Sequence, residues 1–252
     1  MNPRINALLA GLPESEYQTI TSHMELVSLS KGQDLFLTGQ IASHVYYPVG
    51  ALISMMMDMP DGFSVETYMV GRSHLIGWAA LDGPSRYRAN VRHSGLAYRI
   101  PMPVFKSLLL RCPAHERAIA DAMRRMIMQL AHGVVCGKHH SVEQQLIRWM
   151  LISLDRTLEP VITMTHQEMA ERLGFRREAI TLALGRLTMM GYIDSRRGEI
   201  AVTSREGLEA MVCDCYWLGQ EKPKPELREV GKAFLRGATA DRGFQRTVSP
   251  VA

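Results

Sequence analysis

The sequence predicts an α+β protein in which a roll of short β-strands is followed by one long helix and a winged helix-turn-helix. Three changes along the 252 residues support this order. Turn residues recur at short, even intervals from Lys31 to Pro103, and then become rare from Pro113 to His140. Between Thr163 and Leu218, two short helical patterns are joined by a glycine and followed by a hairpin pattern.

Composition limits the class of protein. Hydrophobic residues make up 46%, and 29 Lys and Arg against 25 Asp and Glu give a formal charge of +4, which fits a globular chain with a sizeable core. This small basic excess permits a nucleic-acid partner without establishing one. No apolar run reaches the roughly 18 residues of a membrane span, so we expect no membrane partner.

Two further features favour the cytoplasm. The early apolar stretch at residues 7–12 ends at Pro13 and Glu14, which does not fit a signal peptide. The four cysteines, at positions 112, 136, 213 and 215, are too few and too irregularly spaced for a disulfide framework. We therefore expect reduced thiols and a cytoplasmic protein.

Residues 1–112 are predicted to form the β-roll, preceded by short helices near Pro3 and Pro13. Short runs rich in Val, Ile, Tyr and Met alternate with turn residues, which is typical of a sandwich or a barrel-like roll. In residues 63–70, the alternation places one set on one face and another set on the opposite face: Phe63, Val65, Thr67 and Met69 against Ser64, Glu66 and Tyr68.

Residues 113–140 are predicted to form one long helix. Along it, five apolar or small residues recur at steps of three and four: Ile119, Met123, Met126, Leu130 and Gly133. Such a seam indicates either a homodimer interface or an amphipathic helix lying on its own domain. We favour the dimer seam, because the helix is longer than one small roll would cover.

Residues 141–218 are predicted to form the winged helix-turn-helix. Thr165 and Glu168 form a capping box, Gly174 breaks the chain, and a second helix runs from about Arg176 to Met190. A hairpin with Arg196 and Arg197 at its tip follows as the wing. The tail, residues 219–252, is expected to be flexible.

The second helix of this motif predicts contacts with double-stranded DNA. Its N-terminal end carries the residues expected to reach base edges in the major groove: Arg176, Arg177, Glu178 and Thr181. Four further residues are expected to contact phosphates: Thr165, Gln167, Arg196 and Arg197. Because residues 164–218 contain seven Lys and Arg against eight Asp and Glu, the signal lies in their placement and not in net charge.

Residues 15–205 resemble the Crp/Fnr family of bacterial transcription regulators. The match is strongest at residues 165–174, followed by Arg176, Arg177 and Glu178. The resemblance implies a cyclic-nucleotide-binding-like β-roll as sensor, a dimerisation helix, a winged helix-turn-helix and RNA polymerase as a partner. It also implies that Arg177 and Glu178 read bases, whereas the position of the family's third reader is Leu182 here.

The resemblance extends to an effector pocket, which would include Gly77, Trp78, Arg88, Ala89 and Leu130. Trp78 stands where nucleotide-binding members have a ribose-binding glutamate, and Ala89 stands where they have a hydroxyl. Residues 114–140 contain no Ser or Thr to contact a purine. Each lost hydrogen bond costs about 1–3 kcal/mol, so cAMP is not the expected effector.

Other cofactors are judged from cysteine and histidine positions. No cysteine precedes Cys112, so the N-terminal iron–sulfur cluster of some family members is not expected. His132, Cys136 and His139 share a helix face and could hold a soft metal or haem iron. Because such spacing is more often incidental, no metal site is predicted, and haem or a metal stays open.

The sequence lacks the common catalytic motifs, namely a phosphate-binding loop, Gly-x-Ser-x-Gly and His-Glu-x-x-His, so an enzyme is not expected. The predicted function is a homodimeric DNA-binding transcription regulator on a near-palindromic operator. Two alternatives stay open: a constitutive DNA binder with a vestigial roll, and a ligand-binding module whose helix-turn-helix contacts proteins.

Overall fold

The computed structural model describes residues 1–78, 81–157, 161–196 and 198–219. The N-terminal part contains a short 3-10 helix (Pro3–Ile5), helices α1 (Ala7–Ala10) and α2 (Glu14–Thr21), and strands β1 (Glu25–Leu29), β2 (Asp34–Phe36), β3 (His44–Pro48), β4 (Leu52–Asp58), β5 (Ser64–Val70), β6 (Arg88–His93) and β7 (Gly95–Pro101). The middle part contains α3 (Met102–Arg111), α4 (Pro113–His139) and α5 (Val142–Arg156). The C-terminal part contains β8 (Val161–Thr163), α6 (His166–Leu173), α7 (Arg177–Met189), β9 (Ile193–Arg196), β10 (Glu199–Val202), α8 (Arg205–Met211) and α9 (Asp214–Leu218).

The N-terminal strands form a roll of two antiparallel sheets with the orders β1-β7-β3 and β2-β6-β4-β5. One apolar core fills the space between them and extends under α3 and the first half of α4. The third sheet, β8-β10-β9, belongs to the C-terminal domain, and its strands β9 and β10 form the wing hairpin. The predicted α+β fold, with a roll, a long helix and a winged helix-turn-helix, is confirmed.

Strand β5 is buried on both faces near its end, because it lies between two cores. Tyr68 belongs to the core of the roll, whereas Met69 packs with Leu52 into the core of the C-terminal domain. The alternation predicted for this strand is therefore present, but its outer face is covered. The C-terminal domain packs directly against the roll at this strand.

Part of the apolar seam predicted on α4 is covered by the chain's own roll. Ile119 and Met126 are buried in the core of that roll, and the half-buried Met123 and Leu130 pack against it. A spacing of three and four shows that a helix face is covered but does not show what covers it. The homodimer seam, which includes Gly133, stays a prediction.

Two buried histidines fix α4 and the roll to each other. Nε2 of His115, on α4, lies 3.0 Å from the Tyr47 hydroxyl. Nε2 of His74 lies 2.9 Å from the Tyr68 hydroxyl and 3.2 Å from the carbonyl oxygen of Ala122 on α4. Burial lowers the pKa of His74 to about 3 and that of His115 to about 4, so both rings are neutral near pH 7.

These histidines predict a loss of stability in mild acid. The unfolded chain takes up protons near pH 6.5 while the folded chain does not, so each histidine lowers the free energy of unfolding by about 1.4 kcal/mol per pH unit below 6.5. The stabilisation is fully present above pH 6.5 and is lost as the pH falls towards 4. Urea unfolding at several pH values measures the slope.

Substitution separates this effect from general acid unfolding. His115→Gln removes one of the two groups and should reduce the slope by about half. His139→Gln changes an exposed histidine and should leave the slope unchanged. Equal slopes in all three proteins would contradict the assignment.

Candidate nucleic-acid interface

The helix-turn-helix is built by local signals that the sequence carries. The Thr165 hydroxyl accepts a hydrogen bond from the Glu168 backbone N–H, and the Glu168 carboxylate accepts one from the Thr165 N–H. Gly174 ends α6 in the left-handed region at φ 72°, where a Cβ is unfavourable. Helix α7 then starts after Arg176.

The predicted base readers are exposed at the start of α7. Arg176, Arg177 and Glu178 are all exposed, and no hydrogen bond or ion pair of their side chains exists among the described residues. Leu182, one turn further along, is 66% exposed. The N-terminal end of α7 therefore presents two guanidinium groups and a carboxylate that are available to a partner.

Three other predicted contact residues already have intramolecular partners. Oγ1 of Thr181 lies 3.0 Å from Nδ1 of His166 and so links the two helices of the motif. Thr165 caps α6, and Gln167 donates a 2.7 Å hydrogen bond to Glu171. These side chains support the shape of the motif, which leaves their predicted DNA contacts as proposals.

The wing is a two-stranded hairpin. Strands β9 and β10 pair in antiparallel register, and Arg196 is 83% exposed at its tip. The Arg196 guanidinium forms a 2.9 Å ion pair with Asp194 on the same strand. Arg197, predicted as a second phosphate contact, lies outside the described residues.

A buried carboxylate connects this motif to the roll. Glu66, on β5, has a side chain that is 2% exposed. Four side chains surround it and form with it the Glu66 cluster: Ser54, Arg92, Trp149 and Arg172. Ser54 and Arg92 belong to the roll, whereas Trp149 and Arg172 belong to α5 and α6.

The contacts in the Glu66 cluster satisfy both oxygens of the carboxylate. Trp149 Nε1 donates a 2.8 Å hydrogen bond to Oε1, and the Ser54 hydroxyl donates one to Oε2. Arg172 Nη1 lies 3.4 Å from Oε2 and donates a 3.0 Å hydrogen bond to the Ser54 hydroxyl. Arg172 thereby connects helix α6 of the motif to two strands of the roll.

Arg92 is the second cation of the cluster. Its guanidinium stacks on the Trp149 ring at 4.0 Å and lies 3.9 Å from Glu66. Burial lowers the pKa of Arg92 to about 10, so it still carries a charge near pH 7. Arg92 and Arg172 both face the Glu66 carboxylate in this buried site. Without that carboxylate their charges would be buried and unpaired, which is costly.

No direct signal in the sequence points to the Glu66 cluster. Glu66 falls on the polar face of the predicted alternation, as a solvent-exposed residue would. Its partner Arg172 is 106 residues away in the sequence.

The residues assigned to an effector pocket differ in their surroundings. Gly77 adopts φ 105°, and a Cβ on it would lie 2.6 Å from the His44 carbonyl oxygen, so the backbone passes closely here. Trp78 is half-buried and Ala89 is fully buried. Leu130 lines a cavity of about 360 Å³.

The charge of Arg88 is balanced by two carboxylates of the protein itself. Its Nε and Nη2 atoms each donate a 2.9 Å hydrogen bond to the Asp58 carboxylate, and Nη1 lies 3.4 Å from Asp34. Hydrogen bonding to Arg88 lowers the pKa of Asp58. An anion would have to compete with two carboxylates for this guanidinium, which weakens its assignment to a phosphate.

Two cavities lie where the roll, α4 and the C-terminal domain meet. One of about 360 Å³ is lined by β5, Leu130, Trp149 and Arg172. The other, of about 580 Å³, is lined by five arginines: Arg72, Arg125, Arg148, Arg156 and Arg205. Asp155 and Glu209 also line it, and Arg205 pairs with both.

The structure also regroups the cysteines. Of the three helix residues weighed as metal ligands in the sequence, His132, Cys136 and His139, Cys136 lies in a group with His140, Cys213 and Cys215. Cys213 is the N-cap of α9, so the group joins the end of α4 to the end of the chain described. A Cys-x-Cys pair and an i, i+4 Cys–His pair were the signals available in the sequence.

Comparison with known families identifies the C-terminal domain. Residues 144–211 match the model of the Crp-like helix-turn-helix domain family. No curated protein sequence matches this chain. No helix in the described part of the chain combines the length and apolarity that a bilayer crossing requires.

Solved structures share the whole fold. A CRP-family transcriptional regulator from Thermus thermophilus matches with 21% identity and a TM-score of 0.59, over 73% of this chain and 95% of its own. The c-di-GMP responsive global regulator CLP from Xanthomonas campestris matches with 16% identity and a TM-score of 0.61, over 75% and 99%. FixK2 from Bradyrhizobium japonicum matches with 14% identity and a TM-score of 0.62, over 75% and 98%.

The chain therefore has the fold of the Crp/Fnr transcription regulators and carries a Crp-like helix-turn-helix domain. The resemblance found in the sequence is confirmed at this level. The matched proteins from Thermus thermophilus and Xanthomonas campestris are described as a transcriptional regulator and a global regulator.

The Glu66 cluster predicts that removing the charge of this one buried carboxylate strongly lowers the free energy of unfolding. In Glu66→Gln, two buried arginines lose their counter-charge, and the free energy of unfolding should fall by about 3–5 kcal/mol. Urea unfolding followed by tryptophan fluorescence measures the change, since Trp149 lies in the cluster.

Glu25→Gln is the matched control. Glu25 forms a 2.8 Å ion pair with Arg99, but its side chain is 61% exposed. Its removal should cost less than about 1 kcal/mol. Equal losses in the two variants would contradict the assigned role of Glu66.

Proposed function

We propose that the chain acts as a homodimeric transcription regulator in the bacterial cytoplasm, and that it reads a near-palindromic operator with the N-terminal end of α7. The observation that carries this proposal is the exposure of Arg176, Arg177 and Glu178 without intramolecular partners among the described residues. Arg can donate to guanine O6 and N7, and Glu can accept from cytosine N4. Leu182 offers only an apolar contact at the following position.

The exposed side of α4 supports the homodimer. Ile127, Met128, Val134 and Val135 are each more than half exposed. Ile127 and Val134 are seven residues apart, as are Met128 and Val135, so they form one stripe on the helix. A second copy of the same stripe would bury these side chains and place two α7 helices about a dyad, as a palindromic site requires.

The sensor roll is proposed to have diverged from cAMP binding. Trp78 and Ala89 offer no carboxylate or hydroxyl to a ribose or phosphate, and Arg88 is engaged by Asp58. The related regulator from Xanthomonas campestris responds to c-di-GMP, so the fold itself is compatible with other effectors. Calorimetry with cAMP should show no micromolar binding.

A constitutive DNA binder is the second candidate. The internal Arg88–Asp58 pair favours it, because a roll without a free anion-binding group can serve as a scaffold. DNA affinity measured with and without a small-molecule extract of the cells separates the two candidates. Equal affinities favour the constitutive binder, and a change favours the regulated one.

Arg177→Ala tests the assignment of the base reader. It should weaken binding to the selected operator by about 1–3 kcal/mol and relax the preference at one base pair in each half-site. A gel-shift titration and a second round of selection with the variant measure both effects.

Arg86→Ala is the control, because it removes the same charge from an exposed position on the roll. It should leave the base preference unchanged and affect affinity little. An unchanged preference in Arg177→Ala would contradict the role of this residue.

A further inference from the structure

Four metal-ligating side chains converge at the junction between α4 and the C-terminal helix α9. They are Cys136 and His140 from the end of α4, and Cys213 and Cys215 from the start of α9. One ligand atom from each lies within 4.8 Å of all the others. The predicted function uses none of these residues.

The spacing of the four atoms fits a single tetrahedral ion. Cys136 Sγ lies 3.6 Å from Cys213 Sγ, and Cys215 Sγ lies 3.6 Å from His140 Nδ1. A tetrahedral zinc ion with Zn–S distances of about 2.3 Å and Zn–N distances of about 2.0–2.1 Å separates its ligands by about 3.5–3.8 Å. The separation of the two sulfurs is far longer than the roughly 2.05 Å of a disulfide.

The surroundings separate these side chains from the rest of the protein interior. Cys136, Cys213 and Cys215 are all buried and form a cluster of their own, distinct from the two apolar cores. Arg148 lines the two cavities that Cys215 and Cys136 border. Its Nε atom is buried and has no hydrogen-bond partner within the described part of the protein.

The backbone positions the ligands independently of any ion. The His140 N–H donates a 3.0 Å hydrogen bond to the Cys136 carbonyl, so these two ligands lie one helical turn apart. Gln145 Nε2 donates a 2.8 Å hydrogen bond to the His140 carbonyl. Cys213 caps α9, which places Cys215 in its first turn.

We propose that Cys136, His140, Cys213 and Cys215 form a tetrahedral zinc site that connects the end of the long helix to the C-terminal helix of the DNA-binding domain. Three sulfurs and one nitrogen are a typical structural zinc set. Haem iron takes at most two axial ligands from the protein, whereas four ligand atoms converge here. A two-iron cluster needs its ligands distributed over two metals, which requires a wider site.

The site lies at the connection between α4 and α5, which consists of the ligand His140 and Ser141. Zinc bound there cross-links the start of α9, which follows the wing, to the end of the long helix α4. Because binding occurs in the folded chain only, it adds to the free energy of unfolding of this domain. Resting on the proposed function, this cross-link would also restrict how α7 is oriented relative to α4.

The test is the metal content of the full chain purified in reducing buffer without chelator. Elemental analysis and native mass spectrometry should find one zinc ion per chain. Replacement by Co²⁺ should give the intense visible absorption of a tetrahedral thiolate site. A chain with no stoichiometric zinc and no such Co²⁺ spectrum would overturn the proposal, as would a Cys136–Cys213 disulfide found under these conditions.

Two matched pairs of variants assign the ligands. The loss of a residue that only supports a ligand weakens metal affinity by roughly 10–100-fold, and His140→Ala should weaken zinc affinity by more than that. His139→Ala changes the exposed neighbour and should leave the zinc affinity unchanged. Cys215→Ser should lose the ion, and Cys112→Ala, at a buried cysteine outside the cluster, should retain it. Zinc retained by His140→Ala with unchanged affinity would exclude His140 as a ligand.

A melting experiment covers the case in which a variant folds poorly. A strong chelator should lower the Tm of the unmodified chain and of Cys112→Ala, but not that of His140→Ala. None of these measurements uses DNA. A chain that binds zinc but no DNA would contradict the proposed function and support the zinc site. A chain that binds DNA but no zinc would contradict the zinc site and leave the proposed function intact.

Discussion

The buried carboxylate of Glu66 is the interaction on which the arrangement of the two domains depends. It lies on a strand of the roll, and it is bonded to the indole of Trp149 on α5 and to the guanidinium of Arg172 on α6. Since α6 is the first helix of the helix-turn-helix, one carboxylate fixes the position of the DNA-binding motif. Around it, Met69 and Leu52 of the roll enter the core of the C-terminal domain.

Other contacts follow the same interface. Lys31 on the roll donates a 2.9 Å hydrogen bond to the Thr163 carbonyl and lies 3.8 Å from Glu168 of the capping box. Arg156 of α5 stacks 4.6 Å over the Tyr68 ring, and the lack of a Cβ on Gly71 allows α5 to approach. The start of α7, with Arg176, Arg177 and Glu178, stays exposed. A change in the roll could therefore reach α7 through β5 and α6.

The sequence predicts best those features that are determined by neighbouring residues. The capping box at Thr165, the left-handed Gly174 and the hairpin after α7 depend on residues a few positions apart, and all were confirmed. The face of α4 that contains Ile119 and Met126 was predicted as covered, and these two residues lie in the core of their own roll. Periodicity carries no information on which surface does the covering, so the sequence left both a dimer seam and the chain's own domain open. The pairing of Glu66 with Arg172, and of Cys136 with Cys213 at a separation of 77 residues, depends on the tertiary fold and leaves no local pattern.

The symmetry of the DNA site tests the central claim, which is that two copies of α7 read DNA with their exposed N-terminal ends. The purified full chain can be used to select binding sites from a random pool of double-stranded DNA, with the enriched sites then footprinted. The account predicts two inverted half-sites whose centres are about 10–10.5 base pairs apart, with protection of both. Enrichment of a single unrepeated motif, or of no motif, would contradict it.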